Sequence, residues 1–112
     1  MIEALWSVEF LSNMNSVGSG IVVIETGRVL GGDSAYMYIG DIRVEQSTVH
    51  AVIRVTQYSS VMGMTSIFHP LTQFTLKVSG PLSATDILFN GYVVEQPGLQ
   101  ISVRAVRRAE LP

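Results

Sequence analysis

Ala4-Leu5-Trp6-Ser7-Val8-Glu9-Phe10 alternates strictly: Ala4, Trp6, Val8 and Phe10 fall on one side, Leu5, Ser7 and Glu9 on the other. A period of two is the mark of a half-buried strand. The next residues, Ser12-Asn13-Met14-Asn15-Ser16, are turn formers, and Gly18-Ser19-Gly20 reads as a further break before strand resumes from Ile21 to Glu25. Strand, turn and strand in 25 residues predicts a hairpin, and the same grammar repeats along the chain.

Working outward, Thr26-Gly27-Arg28 is a tight turn into Val29 and Leu30. Gly31-Gly32-Asp33-Ser34 is a second reversal before Ala35 to Ile39, and it predicts a positive φ at Gly31 or Gly32 with the Asp33 carboxylate accepting local backbone N–H groups. Gly40-Asp41 punctuates again, and Ile42 to Glu45 forms a short strand turning through Gln46 and Ser47. From Val49 to Val55 the odd positions are apolar while His50, Arg54 and Thr56 face the other way, with Val52 as an apolar intruder. Ser59 to Pro70, carrying Met62, Met64 and Phe68, is irregular and reads as a loop or one short helix. Three more strands run through Phe74, Leu76 and Val78; Ile87, Phe89 and Val93; and Leu99, Ile101, Val103 and Ala105, with Ser79-Gly80-Pro81 and Gln96-Pro97-Gly98 as the turns between them. About eight or nine antiparallel strands at roughly ten-residue spacing predict an all-β fold, and a small closed barrel is favoured because closure removes the edges that a charge-poor chain would expose.

Composition sets the limits. The 112 residues suffice for one domain, 1–112, and chains of this size bury roughly two thirds of their unfolded surface without staples. There is no cysteine, so disulfides, thiolate nucleophiles and the usual structural zinc sites are excluded. A net charge of −2 gives no cation surplus for a phosphate backbone, so no direct nucleic-acid binding is expected. No stretch reaches the roughly 18 apolar residues of a membrane span. Glu3 and Glu9 precede the first basic residue, Arg28, unlike a signal peptide, so the expected location is cytoplasmic. Only 14% of residues are charged, against about a quarter in a typical domain, which points to a covered surface and hence self-association.

No constellation for catalysis or metal binding emerges, and no cofactor is expected. His50 has Thr48 and Val52 as same-face neighbours along its strand, and His69 precedes Pro70. Asp33, Asp41 and Asp86 read as turn residues, and neither Gly18-Ser19-Gly20 nor Gly31-Gly32 has the helix that a nucleotide fingerprint needs. Arg104, Arg107 and Arg108 form the densest basic group but read as a solvated terminus.

The order of landmarks in the N-terminal third is more specific. Leu5-Trp6-Ser7-Val8-Glu9-Phe10-Leu11-Ser12-Asn13, then Gly18-Ser19-Gly20, Gly27, Leu30-Gly31-Gly32-Asp33 and Tyr36 to Gly40 resemble the GrlR family, bacterial negative regulators of type III secretion gene expression. The resemblance covers about residues 4–40; beyond Gly40 it extends only to strand pattern and length. It implies a calycin-like (lipocalin-like) barrel of eight strands, a homodimer, and regulation by binding a transcription activator rather than DNA. The family's regulator carries a run of acidic residues on an exposed turn soon after the landmark glycine. Here the equivalent turn reads Asp41-Ile42-Arg43-Val44-Glu45-Gln46-Ser47, so no functional residue carries over.

Three functional expectations follow. The leading one is a non-enzymatic regulatory or protein-interaction module. The alternative is a carrier of a small apolar ligand in the barrel interior, lined by Trp6, Val8, Phe10, Val22, Ile24, Tyr36 and Tyr38. An enzyme ranks third. The expected dimer face is the outer side of the strand Asp86 to Val94, with Leu88, Tyr92 and Val94 beside Asn90, extended by Val52 and Val106 and rimmed by the arginines.

Overall fold

The computed structural model describes residues 2–60, 68 and 71–112. Eight strands follow one another: β1 (Ala4–Ser12), β2 (Val17–Glu25), β3 (Arg28–Gly32), β4 (Tyr36–Glu45), β5 (Thr48–Gln57), β6 (Gln73–Pro81), β7 (Asp86–Val93) and β8 (Gln96–Ala109). Each pairs antiparallel with the next, and β8 returns to pair with β1, so the sheet closes on itself. This is the architecture of a small calycin- or lipocalin-like barrel. The described residues contain no helix.

The alternation in β1 is what directs its side chains. Ala4, Trp6 and Val8 are buried inside the barrel, and the register sets Trp6 beside Val22 of β2 and Arg107 of β8. Buried residues from all eight strands complete a single core, including Val29, Val49, Val55, Phe74, Ile87, Phe89 and Val103. β8 is the longest strand, at 14 residues, and shifts register twice along its edges. Arg108 is an extra residue opposite the Leu5–Trp6 step, and Val93 meets Gln96 at the other end, so a long strand bends to pair on both sides.

Several expected turns are strand. Gly18-Ser19-Gly20 lies inside β2, Gly31-Gly32 closes β3, Gly40-Asp41 is mid-β4 and continuous with Ile42 to Glu45, and Ser79-Gly80-Pro81 ends β6. Gln96-Pro97-Gly98 begins β8, and the reversal before it is Val94-Glu95. Asp41 and Asp86 are accordingly strand residues.

The Gly31-Gly32 expectation is half corrected. Neither glycine has a positive φ; among the described residues positive φ occurs at Asn15, Thr26, Gly27 and Gln46. A Cβ on Gly31 would stand 2.1 Å from the Ile21 carbonyl oxygen, so glycine here permits two backbones to approach. The reversal comes at Asp33, whose Oδ1 accepts the N–H groups of Ala35 (2.9 Å) and Tyr36 (2.8 Å), as expected of a turn aspartate. The Thr26-Gly27 turn is found where expected, with both residues at positive φ (54° and 73°), as a two-residue hairpin of the primed kind requires. Of the irregular segment, residues 61–67, 69 and 70, with Met62, Met64, His69 and Pro70, lie outside the described residues. Phe68 is buried and packs edge-on against Phe74, ring centroids 5.4 Å apart.

The barrel cavity and its mouth

One end of the barrel is filled. Trp6 is fully buried, its indole N–H donating to the Ile2 carbonyl at 2.8 Å, and like the buried Ala4, Val49 and Ile87 it stands outside the cavity lining. Above this plug the interior opens into a cavity of about 320 Å³. Of the seven residues expected to line it, Val8, Phe10, Val22, Ile24, Tyr36 and Tyr38 do so. Trp6 does not, because its bulk and its hydrogen bond to Ile2 hold it in the closed end.

The mouth is polar for reasons that start in β2 and β3. Gly18 and Gly20 occupy inward positions of β2, and a Cβ on Gly20 would come within 3.0 Å of the Tyr38 ring edge and hydroxyl. The missing side chain makes room for that ring, which also meets Phe10 edge-on at 5.7 Å. The Tyr38 hydroxyl donates to Asp33 Oδ2, and the Tyr58 hydroxyl donates to the Asp33 carbonyl at 2.6 Å. Burial, then the hydrogen bond to the Asp33 carboxylate, push the Tyr38 phenol far above its ordinary range, so it stays protonated and donating. Sequence reasoning took Asp33 as a turn residue only. The missed signal is parity, since the inward glycines of β2 leave a space that an inward Tyr of β4 fills.

The outside carries two further features. A shallow groove of about 670 Å³ crosses β5 to β8 between Val52, Lys77, Asn90 and Tyr92. It is the larger concavity, but it is open and mixed in polarity, whereas the barrel interior is predominantly apolar and lined by residues from all eight strands. His50 borders it and has a partner that its own strand does not reveal, the Glu45 carboxylate of β4 at 3.6 Å. Arg104 lies 3.7 Å from Asp86, and Arg108 Nε donates to Ser7 Oγ at 2.7 Å.

The expected dimer-face residues Leu88, Tyr92 and Val94 point outward and are exposed. Their neighbours across the sheet are polar, with Leu88 opposite Arg104 and Tyr92 between Lys77 and Gln100. A more continuous apolar surface lies on β1 to β4, where Leu5 stands opposite Val23, Val23 opposite Leu30, and Leu30 opposite Ile39. Ile21 and Met37 flank this row across Gly32. Leu30 and Ile39 are 46% and 52% exposed. The described residues contain no cluster of three metal-ligating side chains, and no helix long and apolar enough to cross a membrane. Comparison with protein-family models finds no match for the chain, and comparison with curated proteins finds none.

Proposed function

We propose that this chain is a non-enzymatic regulatory module of the GrlR kind, a homodimer that acts by binding a transcription activator or another protein rather than DNA. The observation that carries the reading is the aliphatic row Leu5, Val23, Leu30 and Ile39 on the outer wall. With Ile21 and Met37 it forms a patch on the order of several hundred Å², the scale at which an exposed apolar surface marks an interaction site. No charged residue interrupts it. A second copy of the chain is the occupant that fits, because the same uncharged surface pairs with itself about a two-fold axis without needing complementary charge. Arg108, held on Ser7, sits at its rim. The regulatory half is tested by affinity capture from the native cell: a DNA-binding regulator enriched with the chain, and persisting after nuclease treatment, is expected. Retention of generic duplex DNA by the purified chain in a salt-sensitive shift contradicts it.

A second reading, a carrier of a small apolar ligand, is favoured by a specific observation. A cavity of about 320 Å³ with apolar walls and a few polar groups at one end lies at the lower edge of ligand-pocket volumes, roughly 300–1,000 Å³.

A further inference from the structure

The carrier reading leaves open what the cavity would hold, and its lining is selective. The walls are aliphatic and aromatic, with Phe10, Tyr36, Phe74 and Phe89 among them. Among the described residues the lining contains one carboxylate, Asp33, and no Lys, Arg or His. Asp33 is fixed in place, with Oδ1 held by the Ala35 and Tyr36 N–H groups and Oδ2 by the Tyr38 hydroxyl. The Tyr38 proton is committed to Asp33, so its oxygen turns lone pairs rather than a donor toward the mouth. The hydroxyls of Ser19 and Ser34 rotate and can adapt to either partner.

Resting on the carrier reading, we propose that the barrel cavity is a binding site for a hydrophobic amine, an apolar chain or ring bearing an ammonium group that sits at the Asp33–Tyr38 pair. Three physical effects agree. A carboxylate in a half-buried apolar mouth interacts with charge more strongly than it would in water, attracting a cation and repelling an anion. The Phe10 and Tyr38 rings, centroids 5.7 Å apart, line the same part of the cavity, where a ring face turned to the ammonium adds cation–π attraction. An anionic amphiphile such as a fatty acid would have to bring its carboxylate against Asp33 with no cationic side chain among the described residues of the lining to receive it.

The test titrates the full chain, by calorimetry at neutral pH and below micellar concentrations, with decylammonium, decanol and decanoate. Decylammonium is expected to bind at least tenfold more tightly than decanol, with decanoate weakest. Asp33→Asn should bring decylammonium down to the decanol level and leave decanol unchanged. Nuclear Overhauser contacts provide a readout in the unsubstituted chain should that variant fail to fold: the head methylene should lie near the Tyr38 ring and the terminal methyl near Ile24. If none of the three ligands binds, the carrier reading falls and the proposal with it. Equal binding, a preference for decanoate, a preference for decylammonium that survives Asp33→Asn, or the reversed orientation overturns the amine proposal while leaving a cavity that holds ligands.

Discussion

Trp6 is the residue on which the closed end of the barrel depends most directly. It is fully buried and its one polar atom is satisfied by Ile2, so truncation removes both aromatic packing and a hydrogen bond. Trp6→Ala is expected to cost about 3–5 kcal/mol in denaturant unfolding; a loss below about 1 kcal/mol would contradict the packing described. Tyr38 makes a second prediction through pH. Its phenol holds its proton more tightly in the folded chain than in the unfolded one, so the stability it contributes is fully present below the ordinary tyrosine range and declines as pH rises past about 10. Denaturant midpoints of Tyr38→Phe should therefore fall less steeply on the alkaline side than those of the parent chain. A steeper fall would contradict this linkage. Both side chains were readable as inward-facing from period two alone. Their different duties were not, because plug or cavity wall depends on height along the barrel, which alternation does not encode.

At the scale of the element, the hairpin joining β2 and β3 shows a local conflict. Thr26 is β-branched yet sits at φ 54°, where such residues are disfavoured, and its N–H is held by Glu3 Oε2 at 2.7 Å. Asn tolerates that conformation, and Asn-Gly is the favoured pair for such a turn. Thr26→Asn is expected to stabilise the chain by about 1 kcal/mol, seen as a higher unfolding midpoint; destabilisation would show that Thr26 serves something beyond the turn. The alternating strands were legible in the sequence, and their ends less so. Glycine was read as punctuation, but in a small, tightly curved barrel Gly31 sits mid-pairing where two backbones nearly touch, and Gly20 where a tyrosine ring must fit. Cross-strand partners were equally invisible. Glu95, in the β7–β8 reversal, accepts both the N–H and the hydroxyl of Thr75 at 2.8 Å, and these bonds hold its carboxyl below its ordinary value. His50 likewise meets Glu45 only because β4 and β5 pair.

At the scale of the whole molecule, a closed meander pairs every strand on both sides and leaves no free edge strand, so the proposed dimer would form through side chains of the outer wall rather than by edge pairing. The low charge content led to the expectation of a covered surface, and the exposed apolar row proposed to meet it depends on register, which brings Leu5, Val23, Leu30 and Ile39 together from four strands. No single strand in the sequence carries that signal. On β7, where a single strand did carry it, the lateral neighbours are polar. The most direct measurement of the account is light scattering of the purified chain at tens of micromolar. It should give twice the 12.2 kDa chain mass, fall to the monomer mass in Leu30→Lys, and remain dimeric in Tyr92→Lys. A parent chain that scatters as a monomer, or a dimer that Leu30→Lys leaves intact, would contradict it.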